Sequence, residues 1–299
     1  MTTLPRQPYL TDLSDAQWEL IAPLIVLPTG GATRTTDLRE VINALFYQLR
    51  TGCQWRLLPH DFPPEGTVRD YFHRFKRSGL WETINDTLRR AVRVQAKRPP
   101  EPSLGIIDSQ SVKGTRTGSE SGYDAGKKIK GIKRHFMVDV MGLLLCIVVH
   151  AANIQERAGG KMLLAKAAGK GLTRMQKVLA DDGYSGEPMR EYVREKYSWE
   201  FESVKRTELH QFVVMPKRWV VERTIGWISN FRGLSKDYDR DPRTGEAKIL
   251  LASIYYMSKR LTHRETEKEI DCALDARLRK LTENVNKKLP SLPKLPRTL

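Results

Sequence analysis

Only three cysteines, Cys53, Cys146 and Cys272, occur in 299 residues, and they form neither a paired framework nor a Cys-x-x-Cys site. A disulfide-stapled secreted fold and a structural zinc site are therefore not expected, and a reducing, cytoplasmic setting is. Long apolar runs are also missing. No stretch approaches the roughly 20 apolar residues of a membrane-spanning helix, and the opening Met-Thr-Thr-Leu-Pro-Arg lacks the apolar region of a signal peptide. Acid is in short supply as well. Against 51 Lys and Arg there are 35 Asp and Glu, a formal charge of +16, with a pI near 9.8. Basic residues spread along the whole chain favour a polyanionic partner over a small acidic ligand, and nucleic acid is the expected one.

What is present falls into two parts. Residues 1–96 read as helices. Ser14-Asp15-Ala16-Gln17 has the pattern of a capping box ahead of Trp18, Ile21 and Leu24. Leu38, Val41, Ile42, Leu45, Phe46 and Leu49 recur at helical spacing up to Gly52, and a packed turn follows, Cys53-Gln54-Trp55-Arg56-Leu57-Leu58-Pro59. A third helix puts Val68, Tyr71, Phe72 and Phe75 on one face and Arg69, His73, Arg74, Lys76 and Arg77 on the other. Such a basic face suits a major groove, although many surface helices carry as many charges. A fourth helix runs through Trp81, Ile84 and Leu88. Residues 97–103, rich in proline, read as a linker.

Beyond the linker the pattern turns to strands alternating with helices, which calls for a mixed sheet flanked by helices over residues 104–262. The first strand, Leu-Gly-Ile-Ile-Asp-Ser-Gln-Ser-Val-Lys, is expected to deliver Asp108 at its end. Taken alone, an acid there caps a turn more often than it binds metal. A Gly-rich basic segment follows, with Lys113, Arg116, Lys127, Lys128, Lys130, Lys133 and Arg134. It reads as too basic for a core. A hairpin is expected at residues 135–140 and 143–149, and the apolar strand after it ends in Asp181 and Asp182. Around Glu222 a helix has Val220, Val221, Trp227, Ile228 and Phe231 on one stripe and Arg218, Glu222 and Ser229 on the other. Glu222 can face a cleft or simply pair with Arg218 at i, i+4. Residues 263–299 are expected to hold a further helix, with Ile270, Leu274, Leu278, Leu281 and Val285 at near-heptad spacing, and then a disordered, Pro-containing tail.

Three carboxylates converging in a basic protein suit phosphodiester chemistry, in which two hard divalent ions roughly 4 Å apart steady the entering and leaving oxygens. In order and spacing, several motifs together resemble bacterial insertion-sequence transposases of the DDE type, in the insertion-sequence-five group. They are Asp108-Ser109-Gln110-Ser111-Val112-Lys113, Gly131-Ile132-Lys133-Arg134-His135, His150-Ala151-Ala152, Ala180-Asp181-Asp182-Gly183-Tyr184 and Arg218-Trp219-Val220-Val221-Glu222-Arg223-Thr224. The resemblance implies a ribonuclease-H-like catalytic core preceded by a small all-α, helix-turn-helix-like DNA-binding domain. It also implies Asp108, Asp181 and Glu222 as catalytic and metal-holding acids, with Asp182 as the alternative second acid. The implied cofactor is Mg²⁺ or Mn²⁺, two ions per site. The implied partner is double-stranded DNA, both transposon ends and target, held by a homodimer or larger assembly in a nucleoid-associated setting. Lys113, Lys127, Lys128, Lys133, Arg134, Arg218 and Arg223 near the site, with Arg69, His73, Arg74 and Arg77 on the third helix, are the expected DNA contacts. The wider pattern around the glutamate departs here, with Met215 and Ser229 in its outer positions.

Overall fold

A computed structural model describes residues 6–26, 35–116, 118, 120–204 and 219–262. The expected helix after residue 262, and Arg218 and Met215, lie outside them. Four helices come first: α1 (Asp15–Ile21), α2 (Leu38–Thr51), α3 (Glu65–Ser78) and α4 (Leu80–Gln95). The Ser14 capping box forms, with Ser14 and Gln17 each satisfying the other's backbone. α2 stops at Gly52, whose φ of +71° suits the left-handed cap that glycine adopts without strain. A Cβ at that position would also press on the backbone of Arg232 at 3.0 Å. Gly52→Ala should therefore lower stability by about 1–2 kcal/mol. Urea unfolding measures this, and an unchanged midpoint would contradict it.

The strands are β1 (Leu104–Lys113), β2 (Gly122–Asp124), β3 (Ile129–Val138), β4 (Leu144–Ala151), β5 (Lys177–Asp181) and β6 (Glu200–Val204). Between and after them come α5 (Glu156–Gly169), α6 (Glu187–Tyr197), α7 (Trp219–Ser229) and α8 (Pro242–Thr262). β3 pairs antiparallel with β4 on one side and β1 on the other, while β5 and β6 continue the sheet in parallel beyond β1. The short β2 pairs with the first residues of β3. This is a mixed sheet flanked by helices and preceded by an all-helical region, the ribonuclease-H-like architecture expected.

Alternation along the strands sorts side chains onto two faces. Ile106, Val112, Ile132, Phe136 and Leu179 join a core shared with α7, α8 and the N-terminal helices. Ile107, Met137, Leu145, Val178 and Ala180 join a second core with Leu163, Leu164, Met189 and Val193 of α5 and α6. The helices of residues 1–96 and the sheet thus share one apolar core, and α8 packs against α1, α2, α3, α4 and β4. Trp81, Ile84, Leu88 and Val92 of α4 are nearly fully buried, each contributing roughly 1.5–3 kcal/mol of burial. The stretch at residues 97–103 separates two kinds of secondary structure but not two cores.

Two sequence expectations change. Asp108 lies in the middle of β1, paired opposite Phe136, because the strand runs on through the polar Ser109-Gln110-Ser111. β3, expected from residue 135, likewise begins at Ile129, so part of the basic segment enters the sheet. Lys133 and Arg134 are only 4% and 2% exposed. Lys133 is neutralised by Asp124 at 3.2 Å. Arg134, on the opposite face, donates to the carbonyl of Leu234 at 2.8 Å and lies near Asp237 and Asp239. Burial lowers its pKa to about 10 even so.

Candidate active site

The β1–β5 pairing runs from Leu104 opposite Lys177 and ends at Ile106 opposite Leu179. Two residues further along each strand stand Asp108 and Asp181, which makes them lateral neighbours just past the point where the ladder ends. Alternation gives both the face carrying Ile106 and Leu179, the face covered by α7. Asp182 begins a short 3₁₀ turn and is exposed. α7 is fastened at its middle and at its C-terminal end. Gln110 of β1 donates to Ser229 at 3.0 Å, and Thr224 donates to the carbonyl of Gly142 at 2.8 Å. With Val220, Val221, Thr224 and Ile228 buried, Glu222 takes the open side.

Asp108, Asp181, Asp182 and Glu222 line one cleft of about 830 Å³ together with Ser109, Asp124, Lys127, Lys133, Glu156 and Arg157. Asp108 is perturbed upward. Burial raises its pKa from 3.8 to about 6, and the charges of Asp181 and Glu222 push the same way. The Ser109 amide, 2.7 Å from Oδ1, and Lys127 oppose the shift. A carboxylate so disfavoured is relieved by a cation, and an all-oxygen donor set suits a hard divalent one. Among the described residues no three His, Cys, Asp or Glu side chains are already gathered around a common point. The acids face one another across the cleft without being drawn together.

The basic residues expected to contact DNA divide by exposure. Lys113 and Lys128 are exposed, as are Arg69, Arg74 and Arg77 on α3. Lys127 reaches into the cleft, 2.9 Å from Ser109 Oγ and 3.2 Å from Glu156. His73 is half-buried, its pKa lowered by burial and by Lys76, Arg77 and Arg69. Arg223 stacks between Trp219 and Trp227, 4.5 and 4.7 Å from their ring centres. Arg134 has no exposed face for a phosphate, and Lys133 sits on the cleft floor with its charge already matched by Asp124. Sequence reasoning missed Ser109 and Glu156, both of which line the cleft. The one sequence signal at Glu156 was an acid in a helix first turn, which the helix dipole alone explains.

A basic protein with paired strand acids, a helix glutamate facing them and a ribonuclease-H-like sheet belongs to the class of enzymes that act on DNA phosphodiesters. The comparisons narrow this. Residues 99–257 match the family described as "Transposase DDE domain", and residues 13–85 match "Putative transposase of IS4/5 family". A Burkholderia cepacia protein, named as "Putative transposase for insertion sequence element IS402", is 30% identical over 183 residues, covering 58% of this chain and 85% of the relative. The chain belongs to the DDE transposase family and is a DNA transposase. Domains of this family are metal-dependent. No helix among the described residues is long and apolar enough to cross a membrane.

Proposed function

We propose that the protein binds the terminal inverted repeats of an insertion sequence, cuts DNA at those ends and joins them to a target, with Asp108, Asp181 and Glu222 as the catalytic acids. The adjacency of Asp108 and Asp181 beyond the β1–β5 ladder, with Glu222 opposite, carries this reading. Asp181 is preferred to Asp182 because it shares the face of Asp108 and raises its pKa. The three acids would hold Mg²⁺ or Mn²⁺, two ions per site. When bound, such ions activate the attacking hydroxyl and steady the leaving oxygen of an in-line displacement.

The chain's own residues supply the rest. The Ser109 amide orients Asp108. Lys127, beside Asp108, offers a cation to the phosphate approaching the cleft. Exposed Arg69, Arg74 and Arg77 on α3, with Lys113 and Lys128, grip backbone phosphates further out. α1 to α4 serve as the end-binding part, and the strand-rich remainder as the catalytic part. Synapsis of two ends calls for at least a homodimer.

The test incubates the protein with duplexes carrying the element's ends, intact or precut to leave a 3′-hydroxyl, and a target plasmid. Joined product should appear with Mg²⁺ or Mn²⁺ and vanish with EDTA. Cleavage without joining of the precut end would overturn the strand-transfer reading.

A further inference from the structure

Asp108 and Ser109 are adjacent on β1 and point to opposite faces. Asp108 turns toward α7, while Ser109 turns toward the first turn of α5. There its hydroxyl donates to Glu156 Oε1 at 2.9 Å, a contact between residues 47 apart in the chain. Lys127, delivered by the β2–β3 turn, donates to Ser109 Oγ at 2.9 Å and to the Ser109 carbonyl at 3.0 Å, and lies 3.2 Å from Glu156 Oε1. That turn is itself pinned to the sheet. Asp124 accepts from Ser111 at 2.6 Å, from the Lys127 amide at 3.1 Å and from Lys133.

The other oxygen, Oε2, lies hard against Gly183, where a Cβ would overlap it. Gly183 belongs to the turn that begins directly after Asp181. One carboxylate therefore touches three segments: the β1 residue beside Asp108, the turn following Asp181, and the lysine bonded to Ser109. An acid serving only the helix dipole would need none of these contacts.

We infer that Glu156 is a positioning residue that fixes the spacing of Asp108 and Asp181, and with it the protein's affinity for divalent metal. The inference rests on Asp108 and Asp181 being the metal-holding acids. Glu156 meets Ser109 and Lys127 through Oε1 and lies against Gly183 with Oε2, and it acts through these residues. Outer partners of this kind are worth about 10–100-fold in metal affinity or activity.

Two variants test it. Glu156→Gln keeps an acceptor for Ser109 and removes the charge held by Lys127. Gly183→Ala keeps the carboxylate and displaces it, and the atom met is the tip of the Glu156 side chain and not backbone, so the fold should tolerate the change. Mn²⁺ binding to the whole protein is measured by the paramagnetic resonance signal of the free ion, alongside cleavage rate, affinity for end DNA and melting temperature. Both variants should weaken Mn²⁺ binding and slow cleavage at saturating DNA by about tenfold or more, with DNA affinity and melting temperature within error of the parent. Parent-like Mn²⁺ binding in both variants would overturn the inference. If Glu156→Gln melts early, Gly183→Ala decides. Asp108→Asn runs beside them as the reference. If it retains cleavage and Mn²⁺ binding, the assignment of the acids fails. If it loses both while Glu156→Gln and Gly183→Ala match the parent, only the positioning role fails.

Discussion

Replacing Asp108 with Asn should abolish cleavage and joining while making the metal-free protein more stable. The two effects share one cause. Burial and the nearby carboxylates hold the Asp108 pKa at about 6, against an ordinary 3.8. A raised pKa means that the folded state favours the protonated acid. Its stabilising contribution is fully present below about pH 4 and is lost as pH rises through 6. At pH 8 in EDTA the ionised side chain therefore costs roughly 3 kcal/mol, at about 1.4 kcal/mol for each pKa unit. Asn removes that cost and keeps an oxygen to accept from the Ser109 amide. The gain measured by urea unfolding should shrink as pH falls toward 4. Activity should fall by more than about a hundredfold, the most expected from loss of an outer partner, with end binding retained. A fully active Asp108→Asn protein would sink the assignment, and a pH-independent stability difference would refute the electrostatic account.

Arg93→Met should be the most destabilising of the substitutions considered. Arg93 of α4 is ion-paired to Asp139, which has no exposed surface, and its Nε donates to the Pro99 carbonyl at 2.8 Å. Asp139 also accepts from the amides of Met141 and Leu143, so it shapes the turn between β3 and β4. Methionine fills a similar volume and leaves the buried carboxylate without its cation. Loss of one partner from a buried pair costs roughly 3–5 kcal/mol. Because the pair bridges the helical part and the sheet across a shared core, helical circular dichroism and tryptophan fluorescence should be lost in one urea transition at lower midpoint. A loss under about 1 kcal/mol, or two separate transitions, would contradict this.

How much of this was legible in the sequence depends on whether the relevant contact is local. The stripe of Val68, Phe72 and Phe75 lies within one helix, and α3 forms where it predicts. Glu222 could be assigned to the open side of its helix for the same reason. The fates of Lys133 and Arg134 could not be read. A charge in a strand is buried or exposed according to what covers that face, and their partners Asp124 and Leu234 come from the end of β2 and, 100 residues away from Arg134, from a 3₁₀ turn. Glu156 was unreadable for a similar cause, since nothing near it in sequence announces Ser109, Lys127 or Gly183. The shared core was hidden too. Its unifying element, α8, closes the described chain, and a composition break at residues 97–103 says nothing of what later helices pack upon.

The unequal ladders of β1 have a mechanical consequence. It is laced to β3 at eight paired positions, from Ile106 to Lys113, and to β5 at three, from Leu104 to Ile106. Asp108 is thus mounted on the stiff side of the sheet, braced on both flanks of its pair with Phe136. Asp181 stands past the last β1–β5 rung, paired with Val204 of β6, where no hydrogen bond ties β5 to β1. The ladder alone leaves the distance between the two acids unset, which is why it falls to side-chain contacts such as those of Glu156 with Ser109, Lys127 and Gly183.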